Sequence, residues 1–399
     1  MISMGNFNEE QMKTCTHAGA CGGCVYQGVD YVEQLRQKNS EVENLLRDKG
    51  IDVKEYLGIE GSPYIYRYRN KMEYTFGDMV KGGEMTLGMH RKKSFLSIVP
   101  IGGCQIVDED FNRIAEAVLE FCRGKEYSFY KKKTHSGFLR NLIIRKGVRT
   151  EELLVNIVTS SQGSLQAGEF VESLLKLKLN NRIIGILNTI NDGLADFVHC
   201  DSLNVLWGAD HYSERVMGLD FKVSAFSFFQ TNIAAAERLY SEAISMMDSF
   251  ESKTAFDLYC GTGVISQALA LKAKKVLGIE LSNEAVASAK ENAEINSLHN
   301  CEFIAGDVLD VMGSLRYRPD VIVLDPPRAG VHPAALDRII EYGADEIVYI
   351  SCNPKTLVEN LYYLQYYGYS VEKIKAYDNF PFTRHCECVS YLRRRAGNE

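Results

Sequence analysis

Beyond residue 230 the chain alternates between two patterns. Short apolar segments, "TAFDLYC", "KVLGIEL", "CEFIAGD", "DVIVLD" and "EIVYISC", are each followed by a stretch whose apolar positions recur every three or four residues. The first pattern predicts buried strands and the second predicts amphipathic helices. Their alternation predicts a parallel sheet covered by helices on both faces. The helix "TNIAAAERLYSEAISMM" introduces this region. "YSVEKIKAYD" and "CECVSYLRR" close it as an expected antiparallel hairpin on the sheet's edge.

Upstream the pattern differs. From about 53 to 225, alternating apolar and polar positions broken by turn residues predict a strand-rich unit. Helices are expected within it at "FNRIAEAVLEFCRG" and "GEFVESLLKLKL". Before it, "YVEQLRQKNSEVENLLRDKG" predicts an amphipathic helix with a stripe of Val32, Leu35, Val42, Leu45 and Leu46, ended by Gly50. The expected class is α/β. It comprises a C-terminal Rossmann-like domain over 230–399, a central β-rich domain over 51–229, and a cysteine-bearing segment with its helix over 1–50.

Composition sets limits on this picture. A chain with 46% apolar and 24% charged residues is globular in character. No apolar run reaches the ~20 residues that span a bilayer. The opening "MISMGNFNEEQMK" lacks the basic and apolar parts of a secretory signal. A cytoplasmic protein is expected, away from membranes, with its eleven cysteines kept as thiols or ligands. The net charge of -7 argues against coating nucleic acid through bulk charge. Yet "YIYRYRNKMEY", "HRKKSF" and "YKKKTHSGFLRNLIIRKG" interleave cations with aromatics, all before residue 150. Together they point to a polyanion-binding face.

In "DLYCGTGVISQALA" a strand turns through Gly261 and Gly263 into a helix, at the strand end where open α/β sheets bind ligands. Dinucleotide sites need a third glycine where Ser266 stands. Glu280 ends the next strand, suited to a ribose diol, and Asp307 ends the third, near where an adenine amine would lie. Each alone is an ordinary turn or solvated acid. Together they describe an S-adenosylmethionine (SAM) site better than an NAD site.

Strand four then gives way to "LDPPRAG" and strand five to "ISCNP", on that same edge. The closing hairpin carries Glu387 between Cys386 and Cys388. SAM, a thiol and a carboxylate together suit methylation of a pyrimidine at carbon-5. That carbon is a poor nucleophile until a thiolate adds to carbon-6, and a base must afterwards remove the carbon-5 proton. Cys352 fits the nucleophile and Glu387 the base. The plainer reading is a core thiol and a solvent-facing acid.

Cys15, Cys21 and Cys24 form C-x5-C-x2-C, with Cys104 of "IGGCQI" as a distant fourth. Thiolates in tight spacing suit zinc, with His17 a competing ligand, or an iron–sulfur cluster. Spacing does not choose between them, and unliganded thiols are the bland alternative.

In order, "CTHAGACGGC", "FSFFQTN", "DLYCGTG", "LDPPRAG", "ISCNP" and "FPFTRHCE" resemble the RNA uracil-5-methyltransferases, particularly the RumA-like 23S rRNA enzymes. The resemblance covers most of the chain. It implies Cys352 as nucleophile and Glu387 as base. It implies that Gln230, Tyr259, Glu280 and Asp307 contact SAM or line its pocket. Asp325 is implied there too, helping Arg328 and Phe228 hold the uracil. A [4Fe-4S] cluster on Cys15, Cys21, Cys24 and Cys104 is implied as well, structural or RNA-positioning because four protein ligands leave no iron open.

Two departures stand out. "HCE" replaces the family's usual histidine-valine-glutamate, and only 14 residues precede Cys15. The small RNA-binding barrel (TRAM) that begins many relatives is therefore expected to be missing, with RNA held by other surfaces. The expected partner is RNA, 23S rRNA ahead of the tRNA T-loop, acted on by a monomer with no obligate protein partner. Rival readings are exocyclic base N-methylation, cytosine-5 methylation and a non-catalytic RNA-binding iron–sulfur protein. The first expects an aromatic residue where Arg328 follows the prolines, and the second uses a different proline–cysteine loop.

Overall fold

The computed structural model describes residues 2–3, 14–194, 198–247, 251–315 and 317–395. The reading of the opening segment as no secretory signal therefore lies largely outside the described residues. Nine strands form one sheet, in the order Ile2–Ser3, Val53–Glu60, Tyr369–Tyr377, Glu387–Arg394, Glu346–Ser351, Val321–Leu324, Thr254–Leu258, Lys275–Glu280 and Cys301–Ala305. All are parallel except Glu387–Arg394, which runs against both its neighbours. Alternate residues feed two cores. Phe256, Leu258, Ile322 and Leu324 face one helical layer, and Ala255, Val276, Val321 and Val323 face the other. Burial on both faces is why these strands read as nearly continuous apolar runs.

Three expectations are corrected. The closing hairpin is not at the sheet's edge, because Val53–Glu60 pairs in parallel with Tyr369–Tyr377 and covers it. That same strand was expected in the central unit and belongs to the large sheet instead. Alternation reveals a strand but not its partner, which here lies near the other end of the chain. The stripe on the helix Tyr31–Lys49 also differs: Val32 is 41% exposed, while Gln34 and Lys38 are buried. Polar groups tolerate such burial only with partners. Lys38 Nζ meets Asp378 Oδ1 at 2.6 Å, and Gln34 Oε1 accepts from the Phe382 backbone N–H at 2.9 Å.

The central unit is a seven-stranded sheet from Lys71 to Gly208, antiparallel except for Glu152–Thr159 beside Arg182–Ile190. Helices Glu109–Gly124 and Ala167–Leu175 pack on it in one core. A hairpin of His211–Val216 and Leu219–Ser224 contributes to a second core. Its turn residues Met217 and Gly218 both have positive φ, 53° and 80°, as a two-residue hairpin turn requires. Among the described residues, no helix is long and apolar enough to cross a membrane.

Candidate active site

Eight parallel strands end on one edge of the large sheet, and the loops after the last five of them in sheet order hold the candidate residues. Val321–Leu324 leads into Asp325 and Glu346–Ser351 into Cys352. Because Glu387–Arg394 runs the other way, its first residue arrives at this same edge. Ser351 pairs with Cys388, so Cys352 and Glu387 are the next facing positions outward. The two loops are tied together, since Asn353 Nδ2 and Thr356 Oγ1 donate to the Arg328 carbonyl at 3.0 and 3.3 Å.

Charge at this edge is frustrated. Burial raises the Glu387 carboxyl from 4.5 to about 7, with Arg328 pulling the other way. Burial, then Glu387 and Asp257, push Asp325 well above the usual carboxylate range. Burial, Glu387 and Asp325 raise the half-buried Cys352 thiol, and Arg328 opposes them. One guanidinium thus favours both the thiolate and the ionised base. A cavity of about 240 Å³ opens beside Cys352, with Lys38, Arg328, Lys355, Arg384 and His385 on its walls. Arg328 Nη2 lies 3.4 Å from both ring nitrogens of His385.

Along the edge lies the glycine turn. Tyr259, Gly261 and Gly263 all have positive φ, and a Cβ on Gly263 would come within 2.8 Å of the Phe303 ring. Glu280 accepts from Gly261 N at 3.2 Å and Ser282 N at 2.9 Å, joining the turn to the second strand. Asp307 accepts from Leu309 N at 2.8 Å and caps the helix Val308–Ser314. Burial, then the charge of Asp307, raises the Tyr259 phenol to about 12, so the two lie within electrostatic reach of each other. Phe228 is 71% exposed, and its carbonyl is held at 3.4 Å by Thr262 Oγ1, inside the glycine turn. Gln230 hydrogen-bonds the buried Tyr240, which lies within electrostatic reach of Asp325 and Glu387. Every expected catalytic, cofactor and substrate residue is thus gathered at this edge.

Sequence reasoning missed Asp257 and Lys38. Asp257 is fully buried beneath the glycine turn, and Ser266 Oγ donates to its Oδ2. Its Oδ1 has no partner among the described residues, and burial raises the carboxyl to about 7. An acid inside the otherwise apolar "TAFDL" was the available signal. Lys38 gave none, because its partner Asp378 lies 340 residues away.

The four expected metal-binding cysteines form a separate group. Cys15, Cys21, Cys24 and Cys104 line one cavity of about 30 Å³ with His17, whose Nε2 lies 3.0 Å from the Gly102 carbonyl. Burial, then Cys104 and Cys21, raise Cys24 to about 12, and burial raises Cys104 to about 11. Among the described residues, no three His, Cys, Asp or Glu side chains converge to hold a metal ion, and all eleven cysteines are free. The segment also reaches the loop that leads to Glu387. Val25 N and Tyr26 N donate to the Phe382 carbonyl at 2.8 and 3.0 Å. Phe382 is buried at a φ of 66°, five residues before Glu387.

Comparison with known proteins gives the family. A family model described as tRNA (Uracil-5-)-methyltransferase matches residues 212–395. A Clostridium acetobutylicum protein described as an uncharacterized RNA methyltransferase is 52% identical over 96% of this chain and 84% of its own length. A Clostridium tetani protein with the same description is 50% identical over the same shares. The crystal structure of the Pyrococcus abyssi tRNA (uracil-54, C5)-methyltransferase with S-adenosyl-L-homocysteine matches with a TM-score of 0.77 and 29% identity, covering 93% of this chain and 84% of that one. With a glycine turn, a thiol and a carboxylate on one sheet edge, this chain belongs to the RNA uracil-5-methyltransferase family and is a SAM-dependent RNA methyltransferase.

Proposed function

We propose that the enzyme methylates a uridine of 23S rRNA in the cytoplasm, with Cys352 as covalent nucleophile and Glu387 as base. The observation that carries this reading is the Ser351–Cys388 register, which makes Cys352 and buried Glu387 the next opposed positions, with Cys352 and Arg328 lining a cavity beside them. SAM supplies the methyl group. The Cys352 thiolate, favoured by Arg328, adds to carbon-6 of uracil, and the displaced π electrons make carbon-5 enolate-like so that it takes the methyl. Glu387 then accepts the carbon-5 proton, the double bond reforms and the thiolate leaves.

Lys355 and Arg384, both exposed, suit the phosphates of a nucleotide turned out of its stack, while Phe228, Arg328 and Asp325 would hold its base. Gln230, Tyr259, Glu280 and Asp307 would frame SAM, with Asp257 behind the glycine turn. Cys15, Cys21, Cys24 and Cys104 would hold a [4Fe-4S] cluster. The cluster is proposed from the resemblance of the cysteine motif, with the four thiols lining one small cavity. The preference for rRNA rests on the ordered motifs and the cysteine set. The likeness to an enzyme described as acting on tRNA uracil-54 favours the T-loop as a second reading.

Glu387→Gln tests the mechanism, because that enzyme should attack and methylate RNA but fail to release it. A denaturing gel should show a protein–RNA adduct that needs SAM and disappears when Cys352→Ala is added. A soluble, SAM-binding Glu387→Gln protein with neither adduct nor slowed release overturns the assignment. Mapping 5-methyluridine in a deletion strain decides the substrate, and loss from tRNA alone establishes the second reading.

A further inference from the structure

We propose that the turn Arg91–Leu96 grips the RNA strand beside the target uridine, an inference that rests on the reading above. Arg91, Lys92 and Lys93 are exposed in succession on a chain whose net charge is -7. None of the three forms an ion pair among the described residues. Phe95 follows with 81% exposure and Leu96 with 52%. A run of charge needs no exposed ring to stay solvated, whereas three cations beside an aromatic suit phosphates next to an unstacked base.

The turn is built to hold this presentation. Arg91 N donates to the Ser97 carbonyl at 2.8 Å, and Ser94 N to the Arg91 carbonyl at 2.9 Å. Ser94 Oγ accepts from Ser97 N at 3.3 Å. Asp78 bridges to Ser97, which brings the exposed Val80 and Lys81 of the next turn alongside.

The turn is also tied to the active edge. Gly22 N donates to the His90 carbonyl at 3.0 Å and Lys92 N to the Ala20 carbonyl at 2.8 Å, with Cys21 bridging to Arg91. A few residues on, the same segment holds Phe382 of the loop that leads to Glu387. One short stretch of chain therefore carries the cationic turn on one side and the catalytic loop on the other. RNA bound at the turn is presented to the pocket at a fixed offset.

The test uses the full-length enzyme and an unmodified transcript that the wild type methylates. In R91Q/K92Q/K93Q, the plot of log affinity against log salt should become shallower by about 2, at ~0.7 for each cation on a single strand. Its KM for RNA should rise at least about tenfold, as expected when three phosphate contacts are lost. SAM affinity, and kcat at saturating RNA, should remain within about twofold of wild type, because none of the three residues lines the pocket. Phe95→Ala should raise KM about tenfold with the salt slope unchanged, as loss of a stacking ring does. A triple variant with wild-type slope and KM overturns the proposal, and would leave the turn to some other partner. Absence of 5-methyluridine from RNA treated with wild-type enzyme would instead overturn the uridine reading, while the binding slope still tests the turn.

Discussion

Consider Glu387→Gln compared with the wild type at pH 5 and at pH 8. Unfolded, the wild-type carboxyl loses its proton near 4.5; folded, burial holds that proton up to about 7. Between these values the folded chain binds a proton that the unfolded chain has released, so rising pH favours unfolding. The loss begins as pH passes 4.5 and is complete above 7. It amounts to about 3 kcal/mol, at ~1.4 kcal/mol for each pH unit separating the two values. Glutamine carries no charge to desolvate and escapes this loss. Urea unfolding followed by circular dichroism should therefore show the stability difference moving toward the variant by about 2–3 kcal/mol from pH 5 to pH 8. Titrating groups remote from this edge are common to both proteins and cancel, while Asp325 and Cys352, which the Glu387 charge raises, move the difference in the same direction. A difference that stays constant, or moves the other way, would refute the buried-carboxylate account. Turnover has the opposite dependence: only the ionised carboxylate accepts a proton, so wild-type release should rise through pH 7 while the variant stalls as adduct at either pH.

Lys38→Met should lose about 3–5 kcal/mol by leaving Asp378 charged, buried and unpaired. Lys38→Met/Asp378→Asn should regain most of that on thermal melting, and a double variant no more stable than the single refutes the pair's role. Gly263→Ala should weaken SAM binding more than about tenfold by calorimetry, because its methyl would meet Phe303 at a φ of 80°; unchanged affinity counts against the turn. Protein purified without oxygen should carry about four irons per chain, lowered by each single Cys15, Cys21, Cys24 or Cys104→Ser change. Stoichiometric zinc with no iron after anaerobic reconstitution would overturn the cluster.

The active edge was legible because parallel strands advertise their own ends. Asp325 and Cys352 each follow an apolar run, and successive β-α units put such positions on one side of a sheet. Glu387 was readable once the last strand was taken as antiparallel, since reversal brings its start to that edge. What was hidden depended on distant partners. Val53–Glu60 has the alternation of a central-domain strand, and only its pairing with Tyr369–Tyr377 assigns it. Val32 fits the helix period as well as Leu35 does, yet the buried face includes Gln34 and Lys38 because Phe382 and Asp378 satisfy them. Periodicity assumes that polar residues face water, and it fails where a polar residue has a remote partner.

The insertion of the closing hairpin between Val53–Glu60 and Glu346–Ser351 also sets an order of birth. Translation delivers Val53–Glu60 some three hundred residues before the strand it pairs with. At ~5–20 residues per second the early strand waits roughly half a minute on the ribosome. Until then that edge is unpaired, Lys38 has no Asp378, and the glycine turn and Cys352 exist without Glu387. The nascent polypeptide can assemble the nucleotide-binding half of the sheet first, but the hairpin that seals the early strand also brings Glu387. If Glu387 is the base proposed above, structural closure and catalytic competence are then one event, and RNA meets a releasing enzyme only after that hairpin has been made.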